Sequence, residues 1–229
     1  DTMYQVVFFD AFNTLFSLRC PVGSKPRQLP MQKGSISDFL HRADARLQAA
    51  YGRARVGSSG EVNALERLFA TFADWTGMSK TGPYALLLRT DGILRRWLSI
   101  YTDVLSTLQT LQQACRLGII SNGWPQVERM LDLLGIRSYF ESVTISAQVG
   151  HSKPNPAIFE LALRTLRIGA EQAIFVDDMP YNVAAAKQMG LQGLWLVRRP
   201  LEPSAIPVPY RQLTRIQSLQ QVIALAVGS

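Results

Sequence analysis

Cysteine is nearly absent from this 229-residue chain: there are two, Cys20 and Cys115, far apart and at no metal-ligand or redox spacing. That excludes a disulfide framework and a thiolate zinc site, and leaves reduced thiols as the expected state. No apolar run, including Val222 to Val227, approaches the ~18–20 residues that span a bilayer, so no transmembrane helix is expected. The opening residues lack the basic start and long apolar stretch of a secretory signal, and a cytoplasmic location is the expectation. Blocks of like charge, aromatic-interleaved basic runs, repeats and low-complexity tracts are also missing. The net charge of +7 is therefore read as a general preference for anions. The expected partner is a small anionic molecule, with no nucleic acid and no membrane.

What the chain does have is alternation of buried strands with helices. Val6-Val7-Phe8-Phe9 is a β-branched and aromatic run of the kind buried on both faces of a parallel sheet. Leu117 to Ile120, Ser142 to Ile145, Ala173 to Val176 and Gly193 to Val197 repeat it. Helical patterns over 103–115, 124–134, 156–166, 181–189 and 216–226 lie between or after them. The order predicts an α/β fold: a Rossmann-like, three-layer core with a parallel sheet and right-handed crossovers. In such a sheet ligands bind beyond the carboxyl ends of the strands, where Asp10, Ser121 and Asp177 fall.

Residues 17–98 break the rhythm and read as an inserted all-helical cap, with helices near 36–54, 61–76 and 83–98. The core is then expected to comprise 1–16 and 99–229. On a 100° wheel the first cap helix sets Arg42, Arg46 and Arg53 opposite Leu40, Ala43, Leu47 and Tyr51, which reads first as a solvated face. An apolar lid face and an apolar dimer face carry the same pattern, so the sequence does not set the oligomeric state.

A carboxylate just past a buried strand is held by the strand and exposed by the loop, as a nucleophile must be, and Asp10 has that position. The run Phe8-Phe9-Asp10-Ala11-Phe12-Asn13-Thr14-Leu15-Phe16 resembles the first motif of the haloacid dehalogenase superfamily, an apolar strand followed by Asp-x-Asp-x-Thr, but lacks the second aspartate. Gly118-Ile119-Ile120-Ser121-Asn122-Gly123 resembles the second motif. Lys153 within His151-Ser152-Lys153-Pro154-Asn155-Pro156 resembles the third, and Phe175-Val176-Asp177-Asp178 with Asn182 the fourth. Four motifs in order are a specific signal. The insert's place between the first two implies a C1-type helical cap. The Thr14 to Gly23 and Ser152 to Phe159 stretches are most similar to the haloacid dehalogenase-like hydrolase domain-containing protein 3 group.

The resemblance implies a hydrolase with Asp10 as nucleophile, Lys153 balancing its charge and that of a phosphoryl group, and Ser121 bonding the transferring group. Thr14 and the amides of Asn122 and Gly123 complete the expected phosphate site. Three acids in one crevice repel, so a proton or a divalent cation must offset them, and a hard cation with oxygen ligands suits Mg²⁺. The expected ligands are Asp10, the backbone carbonyl of Phe12 and Asp178, with Asp177 and Asn182 in the outer shell.

Phe12 occupies the place where phosphatases of this family carry a general acid and base. A phenyl ring can be neither, which costs ~10²- to 10⁴-fold and least with acidic leaving groups. The same ring suits a 2-haloacid dehalogenase, whose departing halide needs no proton, and a third reading is a binding protein that has lost catalysis. The adjacent acids favour the Mg²⁺ phosphatase. Asn13, where glycine is common, tolerates left-handed backbone angles. His41 and His151 read as surface or loop residues, and Trp75 and Trp97 as lid core. Trp124 borders either the pocket or the core–cap contact, and Arg198-Arg199 reads first as a solvated loop, with a place at the active-site mouth as the alternative.

Overall fold

The structure, a computed structural model, describes residues 4–18, 98–123 and 126–227. The cap helices, Cys20, His41, Arg42, Arg46, Arg53, Trp75, Trp97 and Trp124 lie outside the described residues.

Strands β1 (Val6–Phe9), β4 (Arg116–Ser121), β5 (Ser142–Ile145), β6 (Ala173–Asp177), β7 (Gln192–Leu196) and β8 (Thr214–Ile216) form one six-stranded sheet. Its order is β5-β4-β1-β6-β7-β8, and every pairing is parallel. The chain builds one side of β1 first, through β4 and β5, then crosses to its other side for β6, β7 and β8. A switch point therefore opens at the carboxyl end of β1, beside β4 and β6, where a parallel sheet leaves a crevice.

Side-chain alternation sends the two faces of β1 into separate layers. Val7 and Phe9 pack with α1 (Val104–Leu111), α2 (Gln126–Leu133) and α6 (Gln220–Val227), through Leu108, Met130, Leu131 and Val222. Val6 and Phe8 pack with α4 (Pro156–Leu166) through Ile158, Phe159 and Ala162, and with Ala186 of α5 (Pro180–Gln188). The result is the expected three-layer α/β core. The α4 start is written locally: Pro156 opens the first turn, and the Asn155 side chain accepts from the Ala157 amide at 3.0 Å.

The sequence reading missed three strands and one short helix. β2 (Phe16–Leu18) and β3 (Leu98–Ile100) form an antiparallel pair, so the two ends of the insert leave the core side by side, next to the loop after β1. Three residues are too few to show a period. Only the last residue of β8, Ile216, fell within the expected final helix over 216–226, which begins at Gln220 instead. The short helix α3 (Ser146–Val149) ends at Gly150, φ +76°. Among the described residues no helix is long and apolar enough to cross a membrane.

Gly118 marks where the sheet is tightest. A Cβ there would stand 2.7 Å from the Phe8 ring and 2.8 Å from Ser142 Oγ, both buried. Gly118→Ala is expected to destabilise the protein by about 1–3 kcal/mol through overpacking. Urea unfolding measures it, and an unchanged midpoint would show that the sheet adjusts freely at this point.

Candidate active site and cation site

Each acid owes its place to a strand. Asp10 follows β1 directly, and its amide donates to the Val176 carbonyl on β6 at 2.9 Å. Asp177 is the last residue of β6, fully buried, and Asp178 comes next. Lys153 enters from the loop before α4, 1% exposed, and its Nζ donates to Asp10 Oδ1 and to Asp177 Oδ2, each at 2.7 Å. The same ammonium lies 5.2 Å from the centre of the Phe175 ring.

Asp177 is saturated. Besides Lys153, its Oδ2 accepts from Asn182 Nδ2 at 3.1 Å, and its Oδ1 accepts from the Met179 amide at 2.7 Å. Asp178 is in the opposite condition, for its Oδ1 is buried with no hydrogen-bond partner. Carboxylate oxygens of Asp10, Asp177 and Asp178 all lie within 4.8 Å of one another. Three carboxylates against one ammonium leave two negative charges without balance. The residues therefore fit a hard divalent cation, with Asp10 and Asp178 free to face it and Asp177 turned to Lys153 and Asn182. Merely capping α5 does not explain the pair, since the cap residue is Met179 and no side chain caps it.

The proton affinities follow from the same crowding. Burial, reinforced by Asp177 and opposed by Lys153, holds the Asp10 carboxyl up at about 7. Burial, with Asp177 and Asp10, pushes Asp178 well above the usual carboxylate range, against Lys153 and a hydrogen bond from the Asn13 side chain. Burial alone would lower Lys153; the two carboxylates outweigh it and raise its proton affinity.

Ser121, at the end of β4, is fully buried with its Oγ unpartnered, as are Thr14 Oγ1 and, within the buried Asn182, Oδ1. Two residues beside Ser121 are committed elsewhere. Asn122 Nδ2 donates to the Lys153 carbonyl, and the Lys153 amide donates to Asn122 Oδ1, both at 2.8 Å. The Gly123 amide, expected to meet a phosphate oxygen, donates at 3.0 Å to Ser146 Oγ, which donates back to the Gly123 carbonyl at 3.2 Å. This amide is thus engaged within the protein.

Phe12 is buried, packed edge-on against Phe16 with centroids 5.0 Å apart. A Cβ on Gly123 would lie 3.7 Å from this ring and 3.8 Å from Ser121 Oγ, so ring, glycine and serine converge. Asn13 takes the left-handed conformation expected of it, φ 59°. His151 is exposed.

Arg198 departs from the first of its two readings, a solvated loop, and reaches the loop after β1. It donates to the Thr14 carbonyl at 2.7 Å and the Asn13 carbonyl at 3.4 Å, and forks onto both oxygens of Asp103 at 3.1 Å. Its guanidinium lies 3.8 Å from the Tyr101 ring centre, and Asp103 also accepts from the Leu219 amide. No local pattern could have announced this, because its partners are more than ninety residues away.

Residues 85–196 match the family of haloacid dehalogenase-like hydrolases. That segment is a haloacid dehalogenase-like hydrolase domain, and the acid cluster it joins supports hydrolase activity. A phosphoserine phosphatase of Thermus thermophilus is 27% identical over 206 residues, covering 77% of this chain and 83% of its own. Haloacid dehalogenase-like hydrolase domain-containing protein 3 of Xenopus laevis is 25% identical over 240 residues, covering 98% and 96%. Against some other curated relatives the match is local and spans under half of their length. In fold the chain is similar to L-2-haloacid dehalogenase of Xanthobacter autotrophicus with chloropropionic acid covalently bound, at TM-score 0.68, 21% identity and 99% coverage of each chain. Phosphatase and dehalogenase both stand among these haloacid dehalogenase-like hydrolases, so similarity alone does not select the chemistry.

A carboxyl whose proton affinity rises on folding contributes most to stability below its unfolded pKa, 3.8, and that contribution is lost as pH climbs through its folded value, about 7. In chelator, Asp10→Asn is therefore expected to gain stability relative to wild type between pH 4 and pH 8. Urea midpoints across that range check it, and a pH-independent difference would contradict it.

Proposed function

We propose that this haloacid dehalogenase-like hydrolase is a Mg²⁺-dependent phosphatase of a small phosphorylated metabolite, working through an aspartyl-phosphate on Asp10. The buried Oδ1 of Asp178, without a partner and beside two uncompensated charges, carries the reading. Asp10, Asp178 and the Phe12 carbonyl would hold the ion, with Asp177 and Asn182 behind them. When bound, Mg²⁺ supplies charge neutralisation for the phosphoryl oxygens and keeps Asp10 deprotonated.

Lys153 holds Asp10 at Oδ1 and leaves its other oxygen to attack phosphorus. As that bond forms, the bond from phosphorus to the leaving oxygen breaks, and the electron pair departs with the leaving group. Ser121, Thr14 and the Asn122 amide receive phosphoryl oxygens, Ser121 and Thr14 having hydroxyls free to do so. Water then attacks phosphorus, releases inorganic phosphate and restores the Asp10 carboxylate. Asn122 acts further by fixing the backbone of Lys153. Within the family we place the chain nearest the haloacid dehalogenase-like hydrolase domain-containing protein 3 group. The Thr14 to Gly23 and Ser152 to Phe159 runs and the near full-length match to the Xenopus laevis protein support this.

Phe12 favours a second reading, dehalogenation of 2-haloacids, because a buried ring replaces the acid that an alkoxide leaving group needs. The test is a panel of phosphate esters and 2-haloacids with and without Mg²⁺. Turnover of p-nitrophenyl phosphate is expected to need Mg²⁺, to vanish in Asp10→Asn, and to exceed that of glycerol phosphate by ~10²-fold or more, the range of the missing acid. Phe12→Asp is expected to narrow that gap. Halide release independent of Mg²⁺ would establish the dehalogenase, and Mg²⁺ binding without turnover of any ester would establish a binding protein.

A further inference from the structure

Strand β7 contributes to none of the four motifs, yet it reaches the loop that bears Asp178. Trp195 pairs in register with Asp177 across β6 and β7, and its Nε1–H donates to the main-chain carbonyl of Asp178 at 2.9 Å. The indole is 5% exposed and is wedged among Val183, Ile206 and Leu213, so its donor is aimed rather than free to swing.

Asp178 lies one residue past the end of β6, where the ladder no longer fixes the backbone. A carboxylate in that position takes its direction from whatever holds its own peptide. On one side the Asn13 side chain hydrogen-bonds the carboxyl. On the other the indole holds the carbonyl. Together they keep a buried, unpartnered Oδ1 within reach of Asp10 and Asp177.

We infer that Trp195 is a positioning residue of the cation site, holding the Asp178 peptide so that its carboxylate meets a divalent ion. It touches neither the ion nor a substrate. The inference rests on the Mg²⁺ reading of the site. Phenylalanine at 195 keeps a ring in the pocket but offers no donor, which leaves the Asp178 carbonyl to seek water and turns the carboxylate with it.

The experiment is calorimetric titration of Mg²⁺ into the full chain as wild type, Trp195→Phe and Leu213→Ala. Trp195→Phe is expected to weaken Mg²⁺ binding by roughly tenfold or more, the usual effect of losing a group that orients a ligand. Leu213→Ala loosens the same cluster without removing the hydrogen bond, and is expected to lower the unfolding midpoint with Mg²⁺ affinity unchanged. Without any variant, one slowly exchanging indole N–H resonance of the wild type is expected to shift when Mg²⁺ is added. Wild-type affinity in a folded Trp195→Phe overturns the inference alone, as does an equal loss in Leu213→Ala. A wild type that shows no Mg²⁺ binding overturns the cation reading, and this inference with it. Should Trp195→Phe not fold, absence of any Mg²⁺-induced shift among the indole resonances overturns the inference.

Discussion

The site is organised around the Lys153 ammonium, buried between Asp10 and Asp177 at 2.7 Å from each. Removing such charges from water costs several kcal/mol apiece, and their attraction offsets it only when the remaining lone pairs and protons are satisfied. Asp177 meets that condition through Met179 and Asn182, and the Lys153 backbone meets Asn122 at both its donor and its acceptor. Asp178 does not meet it. A structure that satisfies one buried carboxylate threefold and leaves its neighbour with an orphaned oxygen is arranged for a ligand at the second.

The attack proposed for the Asp10 carboxylate depends on charge. Asp10 must be ionised to attack, but burial and Asp177 favour its protonated form up to about pH 7, with Lys153 too weak to reverse that alone. A second positive partner on the Asp178 side would complete the balance. On the Mg²⁺ phosphatase reading proposed above, an ion held by Asp10 and Asp178 would favour the ionised carboxylate and offset phosphoryl charge, while Lys153 would keep Asp10 in place.

Much of this was legible in the residues. Doubly buried strands need near-continuous apolar runs, so β1, β5 and β6 were readable almost to the residue, and strand ends named Asp10, Ser121 and Asp177. Asn13 could be read because few residues take φ 59° without strain. Parts defined by distant pairing were not readable. β2, β3 and β8 are three residues each, too short for a period, and exist through partners elsewhere. Gly123 looked like a phosphate amide because nothing local says that Ser146, twenty-three residues on, takes it. Arg198 and Trp195 act on other residues' carbonyls, which every residue has, so no residue type marks the recipient.

Those two unread residues show how a parallel sheet builds precision at its open end. Ladders stop at the last strand residue, whereas Asp10, Phe12, Asn13 and Asp178 of the candidate site lie one to four residues beyond, in loops after β1 and β6. The end of β7 reaches both: Arg198 ties the Asn13 and Thr14 carbonyls to Asp103 and thereby to the start of α6, and Trp195 ties the Asp178 carbonyl into the third apolar cluster. Asn13 then joins the loops by bonding the Asp178 carboxyl. Because these ties grip main-chain carbonyls, side chains in the loops can change without losing them. Phe12 lies in such a loop: where the family resemblance implies an acid it carries a buried ring, and the loop around it has its left-handed residue, Asn13, and its ties to Arg198.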